Sequence, residues 1–187
     1  MQSAKAIVIG GSAGSVPVLI SIIDSLHVDF RIPVIIIIHR QRNVRSEMAE
    51  VLSKGKNKKK IIEPCDKEAI ADGAIYLAPQ NYHLLIEADK TFSLDYSESV
   101  HYSRPSIDVT FESAAVVFRD QLVGILLSGA NNDGTIGVQE IVNYNGTAII
   151  QDPVTAEYPA MPQHAIKQSK SVLVMNPAGI ISFLNNL

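Results

Sequence analysis

The feature that most constrains this fold is an unbroken run of β-branched aliphatic residues, Val34–Ile38. A strand that is apolar on both faces must be covered on both faces, as happens in parallel sheets flanked by helices. The run is also far shorter than the ~18 apolar residues that a membrane-spanning helix needs. It therefore predicts a buried central strand in an α/β sheet.

Apolar runs and amphipathic stretches alternate along the rest of the chain, which indicates strands that are followed by helices. Strands are predicted over residues 6–9, 34–38, 61–62, 122–127, 147–150 and 172–174, with short ones over 74–78, 83–88 and 91–95. Helices are predicted over 16–26, 44–52, 106–118, 136–143, 159–168 and 177–184. We predict one domain over residues 1–187: an α/β fold with a three-layer, doubly wound, mostly parallel sheet and a short antiparallel hairpin insert.

Composition excludes several classes of protein. Hydrophobic residues make up 47% of the chain and charged residues 19%, which excludes intrinsic disorder. The net charge of −3 at pH 7 argues against a nucleic-acid partner, because nucleic-acid-binding proteins usually show a basic surface. The single cysteine, Cys65, excludes an internal disulfide and a cysteine-based zinc site. Because residues 6–9 are too short for a signal-peptide core, we expect a cytoplasmic protein without membrane insertion.

A candidate nucleophile follows the first predicted strand. Doubly wound sheets bind ligands beyond the carboxyl ends of their strands. Residues 10–14, Gly-Gly-Ser-Ala-Gly, fit the pattern G-x-S-x-G in a strand–turn–helix setting, which is typical of a nucleophile elbow. The pattern predicts Ser12 as a nucleophile, with helix N-terminal amides near its oxygen to stabilise an oxyanion. A nucleotide-binding loop or a simple tight turn is the alternative, although the residues fit neither G-x-G-x-x-G nor a Walker motif.

Two further candidates follow other strands. His39 is the first polar residue after the run at 34–38, and Asp133 lies beyond the strand predicted at 122–127. Histidine is the natural base for a serine, and a carboxylate can orient it. The alternatives are a histidine that merely caps its strand and an aspartate that caps a helix at Asp133-Gly134. Together the three residues predict an acyl-transfer site, although their order differs from the Ser…Asp…His order of α/β-hydrolases.

With these residues in place, the sequence resembles the catalytic domain of the CheB-type chemotaxis protein-glutamate methylesterases. Six segments match in the same order and span essentially the whole chain. They are residues 6–15, 38–39, 78–79 with 83–84, 104–108 (Arg-Pro-Ser-Ile-Asp), 127–134, and 151–152 with 160–162.

The resemblance implies a hydrolase that removes methyl groups from γ-glutamyl methyl esters on the cytoplasmic helices of methyl-accepting chemotaxis receptors and releases methanol. Some members also deamidate receptor glutamines. It further implies Ser12 as the nucleophile, His39 as general base and acid, and Asp133 as the residue that orients His39, without a metal or an organic cofactor. Typical members carry an N-terminal receiver domain, so we expect a stand-alone catalytic form here.

We expect four residues to contact the substrate: Ala13, Ala130, Arg104 and Met161. The first two, with Asn131, depart from the residues usual in the family's nucleophile and acid loops. Arg104 is interpreted as a ligand for an acidic receptor segment or as the start of a helix at Pro105. Met161 is interpreted as lining the cleft or packing in the core. The departures leave a non-catalytic receptor-binding or regulatory module as an alternative. A small-molecule esterase is a third hypothesis.

Overall fold

Every residue of the β-branched run is buried, and the run forms a central strand of the main sheet. The computed structural model describes residues 4–41, 43–44, 46–56, 59–100 and 102–187. The strands are β1 (Ala6–Gly11), β2 (Val34–Ile38), β3 (Ile61–Ile62), β4 (Ile75–Leu77), β5 (His83–Ile86), β6 (Phe92–Asp95), β7 (Leu122–Leu126), β8 (Thr147–Gln151) and β9 (Leu173–Met175). Within the described residues, the main sheet is parallel and seven-stranded, in the order β3-β4-β2-β1-β7-β8-β9.

Helices cover both faces of this sheet. They are α1 (Val16–Ser25), α2 (Met48–Ser53), α3 (Ile107–Phe118), α4 (Thr135–Asn143), α5 (Ala160–Gln168) and α6 (Pro177–Asn185), with short 3-10 helices at Arg119–Gln121 and Pro153–Thr155. Within the described ranges, none of the helices combines the length and the apolar character needed to cross a membrane.

The core divides between the two faces because successive residues of a strand point in opposite directions. Ile35 and Ile37 pack in the part of the core that α3, α4 and α5 cover, whereas Ile36 and Ile38 pack in the part that α1, α2 and α6 cover. The antiparallel hairpin β5–β6 lies on the α3 side. This arrangement confirms the predicted three-layer α/β fold with a hairpin insert.

The elements differ from the predictions mainly at their ends. The first strand extends through Gly11, because its backbone stays paired with β2 up to Ile38. The helix predicted over 44–52 begins at Met48, after a local turn in which the Met48 amide donates to Ser46 Oγ. Arg45, within that predicted helix, lies outside the described residues. Neither of the 3-10 helices was predicted.

The strand order reverses between β1 and β7. From β1 the chain crosses to β2 on one side, and it later returns to place β7 and β8 on the other side. In doubly wound sheets the crevice at the carboxyl ends of the strands, at such a reversal, is the usual ligand site. Ser12 directly follows β1 and Asp133 lies between β7 and α4, so both residues are in the loops that form this crevice.

Candidate active site

Ser12 lies in a tight turn between β1 and α1, the strand–turn–helix setting that the sequence predicted. The Ser12 carbonyl accepts hydrogen bonds from the Ser15 amide at 3.1 Å and the Ser15 hydroxyl at 2.6 Å. Gly14 provides the left-handed backbone of the turn, with a φ of 76°. A nucleophile elbow strains the chain at the serine itself, whereas here the left-handed residue comes two positions later.

Ser128, two residues after β7, holds this turn in place. Its carbonyl accepts a hydrogen bond from the Ser12 amide at 2.9 Å, and its hydroxyl donates to the Ala13 carbonyl at 2.8 Å. The Ser128 amide in turn donates to Gln151 Oε1 at 2.9 Å. The side chains of Ser128 and Gln151 are both fully buried. Neither residue could be assigned to this turn from the sequence, because a buried serine or glutamine carries no local pattern that shows which segment it contacts.

Ser12 and His39 are neighbours across two adjacent strands. The β1–β2 register pairs Gly11 with Ile38, and the His39 amide donates to the Gly11 carbonyl at 3.3 Å. Paired strands lie about 4.8 Å apart, so the residues that follow Gly11 and Ile38 emerge side by side. Ser12 Oγ forms no hydrogen bond with any described residue, and it is half-buried at the cleft.

His39 is in direct contact with Asp133. Its Nε2 lies 2.7 Å from Asp133 Oδ2, and the histidine side chain is 12% exposed whereas the aspartate side chain is 0% exposed. With Nε2 engaged by the carboxylate, the other ring nitrogen of His39, Nδ1, has no hydrogen-bond partner among the described residues. The structure thus brings His39 and Asp133 into direct contact and places Ser12 beside His39.

Hydrogen bonds from several directions fix the Asp133 carboxylate. Besides His39, the described groups that donate to this carboxylate are the Ile107 amide (2.8 Å), the Ser106 hydroxyl (2.9 Å), the Asp108 amide (3.0 Å) and the Gly134 amide (3.0 Å). Burial alone raises the pKa of the Asp133 carboxyl, but the hydrogen bonds from His39 and from the α3 amides outweigh it and lower the pKa below its ordinary value. Asp133 is therefore an ionised carboxylate at neutral pH, ready to accept from His39.

The alternative that Asp133 is the N-cap of the helix that follows it, α4, is wrong. The N-cap of α4 is Gly134, with a φ of 89°, and the Asp133 side chain points instead to the first turn of α3. A carboxylate at a helix N-terminus is stabilised by unpaired amides and by the helix dipole. Asp133 therefore caps a helix and contacts His39 at the same time.

Two other residues near Asp133 were not singled out as functional by the sequence. Ser106 and His83 are both 0% exposed. The Ser106 amide donates to His83 Nδ1 at 3.2 Å, and His83 Nε2 lies 2.9 Å from the Glu98 carbonyl. Because His83 Nδ1 accepts a hydrogen bond, it carries no proton. His83 Nε2 therefore carries the proton and donates to the Glu98 carbonyl. His83 is therefore a packed, hydrogen-bonded residue of the interior.

The residues expected to contact substrate lie in different environments. Ala13 and Ala130 are exposed, in the nucleophile turn and in the loop before Asp133. Met161 is 0% exposed in the core, where its amide donates to the Gly129 carbonyl at 2.9 Å. Its thioether also packs against Gly129, since a Cβ on that glycine would lie 2.5 Å from Met161 Cε. The structure thus favours core packing for Met161, which supports the loop that carries Ala130.

Arg104 packs on an aromatic ring at the hairpin side of the site. Its guanidinium carbon lies 4.0 Å from the ring centroid of Tyr96, and its Nη1 donates to the Tyr96 and Ser97 carbonyls. Pro105 does not start α3, which begins at Ile107, so the helix-start interpretation is wrong. The Arg104–Pro105 peptide bond is cis.

No group of three or more histidine, cysteine, aspartate or glutamate side chains among the described residues could hold a metal ion.

Comparisons with known proteins agree with this geometry. A family model described as CheB methylesterase matches residues 7–184. A Leptospira interrogans protein, provisionally named a protein-glutamate methylesterase/protein-glutamine glutaminase, is 45% identical over 172 residues, which cover 92% of this chain and 89% of the relative. The Thermotoga maritima protein-glutamate methylesterase/protein-glutamine glutaminase is 30% identical over 92% of this chain and 51% of its own length.

The fold also matches a solved structure. The crystal structure of the Thermotoga maritima CheB methylesterase catalytic domain superposes with a TM-score of 0.91 at 29% identity, and the match covers 98% of both chains.

Proposed function

The chain belongs to the CheB methylesterase family, and from that premise we propose that it hydrolyses γ-glutamyl methyl esters of methyl-accepting chemotaxis receptors and releases methanol. The observation that carries the proposal is the 2.7 Å contact between His39 Nε2 and Asp133 Oδ2, in a cleft where His39 stands beside Ser12. The named relatives are methylesterases and glutaminases, which act on the same γ-carbonyl group of a glutamyl side chain.

The first half of the reaction forms an acyl-enzyme. Ser12 Oγ attacks the ester carbonyl carbon while His39 Nδ1 takes the serine proton. The bond to the methoxy oxygen then breaks, and His39 returns that proton to the leaving group, which departs as methanol. Asp133 stays ionised throughout and stabilises the imidazolium of His39.

The second half releases the product. A water molecule attacks the acyl carbon and gives a proton to His39, and the bond to Ser12 Oγ breaks as His39 returns the proton to the serine. The product is a glutamate side chain. With a glutamine substrate the same steps release ammonia, so one site serves both activities.

Backbone amides of the nucleophile turn are the proposed oxyanion donors. The Ala13 and Gly14 amides donate to no described residue, and they lie between Ser12 and the N-terminus of α1. Donors that are fixed before the reaction stabilise a tetrahedral oxyanion without reorganisation. The Ser128 contacts to Ser12 and Ala13 hold these amides in place.

The proposed partners are the cytoplasmic helices of chemoreceptors, and the proposed location is the cytoplasm. The loops that carry Ala13 and Ala130 are exposed at the cleft and would meet the receptor helix. Arg104, already stacked on Tyr96, is a proposed contact for an acidic receptor segment. No specific observation favours the non-catalytic module or the small-molecule esterase, and the named relatives are methylesterases.

The experiment that tests the substrate class compares two esters. Purified protein is incubated with methylated receptor peptides and, separately, with a short-chain generic ester, and the peptides are analysed by mass spectrometry. We expect glutamyl methyl esters to lose their methyl group much faster than the generic ester is hydrolysed. Faster hydrolysis of the generic ester, with receptor peptides unchanged, would identify a small-molecule esterase instead.

A further inference from the structure

The two oxygens of Asp133 have different partners. Oδ2 accepts from His39 Nε2 at 2.7 Å and from the Ile107 amide at 2.8 Å. Oδ1 accepts from the Asp108 and Gly134 amides, both at 3.0 Å, and from one described side chain, the Ser106 hydroxyl, at 2.9 Å. A carboxylate rotates about a single bond, so a partner on one oxygen sets the plane in which the other oxygen lies. Because Ser106 is completely buried, its hydroxyl and not bulk solvent occupies the position beside Oδ1.

Ser106 is free for this contact because it does not cap its own helix. It occupies the N-cap position of α3 with an extended backbone, but its side chain makes no capping hydrogen bond there. N-cap serines usually accept from an amide of the first turn. In α3 the Asp133 carboxylate is the acceptor for the first-turn amides, those of Ile107 and Asp108. The Ser106 hydroxyl is therefore not needed as a cap and can donate to Asp133.

His83 holds the backbone of Ser106. The Ser106 amide donates to His83 Nδ1, and His83 Nε2 donates to the Glu98 carbonyl. A continuous series of hydrogen bonds therefore runs from the loop after β6 through His83, Ser106 and Asp133 to His39. Each step joins segments that are distant in sequence, so the hairpin insert is connected to the catalytic cleft.

We propose that Ser106 is a positioning residue of the hydrolytic site: its hydroxyl fixes the Asp133 carboxylate in the plane that orients His39, and His83 fixes Ser106. The proposal rests on the catalytic roles proposed for Ser12, His39 and Asp133. Removing the hydroxyl misorients His39 for proton transfer and leaves the substrate-facing surface unchanged. Groups that orient a ligand or base from behind typically contribute about 10- to 100-fold.

The test compares Ser106→Ala with Ser113→Ala, a matched control on the same helix. The Ser113 hydroxyl accepts a hydrogen bond from the Ile86 amide of β5 at 3.1 Å and has no contact with Asp133. We expect kcat of Ser106→Ala to fall about 10-fold or more, with KM within twofold of wild type. Ser113→Ala keeps the wild-type kcat even where its melting temperature falls by the same amount. Ser106→Thr, which keeps the hydroxyl, restores most of kcat.

Two results would overturn the proposal: wild-type kcat in Ser106→Ala, or equal losses of kcat in the Ser106 and Ser113 variants. If Ser106→Ala does not fold, Ser106→Cys replaces it, because a thiol has a similar size but is a weak donor. We expect the kcat of Ser106→Cys to lie below that of Ser106→Thr and above about one tenth of the wild-type kcat. A wild-type kcat again contradicts the proposal.

A second readout separates this proposal from the proposed function. The rate at which a fluorophosphonate probe labels Ser12 depends on activation by His39 but requires no receptor. If the wild type labels rapidly yet leaves receptor esters intact, the substrate assignment fails, and the labelling rates of the same variants still decide the role of Ser106. Slower labelling of Ser106→Ala than of Ser113→Ala supports the proposal, and equal rates contradict it.

Discussion

Asp108 and Asp133 each bind the N-terminal turn of the other's helix. The Asp133 carboxylate, which precedes α4, accepts the Asp108 amide of α3 at 3.0 Å, while the Asp108 carboxylate accepts the Gly137 amide of α4 at 2.8 Å. The helices pack closely at this point, since a Cβ on Gly137 would lie 2.4 Å from Phe111 Cβ. The acid of the site is thus fixed by the same contacts that join α3 to α4.

Asp108→Ala should weaken this junction. The substitution removes the acceptor of a buried amide, and an unsatisfied buried donor costs about 1–3 kcal/mol. We expect the free energy of unfolding, measured by urea titration, to fall by about that amount, and the hydrolytic rate to fall with it because Asp133 shifts. Asp120→Ala, at an exposed carboxylate beyond the far end of α3, should change stability by less than about 0.5 kcal/mol. Equal effects of the two substitutions would contradict the role of Asp108.

The ionised Asp133 should stabilise the fold in a defined pH range. Hydrogen bonding lowers the pKa of Asp133 in the folded protein below its unfolded value, which is about 3.9 for an aspartate. The stabilisation is therefore fully present above about pH 4 and is lost as the pH falls through the folded pKa.

The measurement compares Asp133 with Asp133→Asn, both in a His39→Gln background, in which the glutamine amide can still donate to the carboxylate but carries no ionisable group. We expect the difference in the free energy of unfolding to be constant between pH 5 and pH 7 and to shrink below about pH 4. A difference that is independent of pH down to about pH 3 would show that the charge of Asp133 contributes no stability.

Gly14 should tolerate no side chain. Its φ is 76°, and a Cβ there would lie 2.7 Å from Glu157 Cβ and 2.8 Å from Ser128 Oγ. A left-handed backbone costs a non-glycine residue about 1–2 kcal/mol, and the contact with Ser128 displaces the turn that carries Ser12. We expect Gly14→Ala to lower both stability and activity. In the control Gly179→Ala, in helix α6 with 3.3 Å to its nearest atom, stability should be unchanged or slightly higher. A fully active Gly14→Ala would contradict the turn geometry.

Glu157 brings a negative charge to the nucleophile turn. Its Oε2 lies 3.1 Å from the position that a Cβ on Gly14 would take, and the residue is exposed. Because like charges repel, Glu157→Gln should raise kcat/KM for a negatively charged receptor peptide about two- to fivefold at low ionic strength. The gain should disappear near 0.5 M salt, roughly where the screening length falls below about 5 Å. Asp120→Asn is the control, and a gain that persists at high salt would exclude a charge effect.

Much of the fold could be predicted because single segments carry the signal. The run Val34–Ile38 marks a strand buried on both faces, and Ser12 and His39 were identified by their positions directly after strands. Strand ends of a parallel sheet meet at one edge, so two residues far apart in sequence could be placed together without coordinates.

What the sequence did not show depends on contacts between segments. Ser106 meets Asp133 across 27 residues and His83 across 23, and no local pattern states which buried hydroxyl will face which carboxylate. Met161 illustrates the same limit, since a methionine after a strand-end loop has the same local pattern whether it faces the cleft or the core. Asp133 was identified as an acid, but its second role as the cap of α3 needed the relative position of two helices.

The central claim is that Ser12, activated by His39 and Asp133, hydrolyses receptor methyl esters. The most direct measurement is methanol release from methylated receptor membranes by the wild type and by Ser12→Ala, with the exposed Ser21→Ala of α1 as the matched control. We expect methanol release by the wild type and by Ser21→Ala, and none above background by a folded Ser12→Ala. Undiminished release by Ser12→Ala, or no release by the wild type, would contradict the claim.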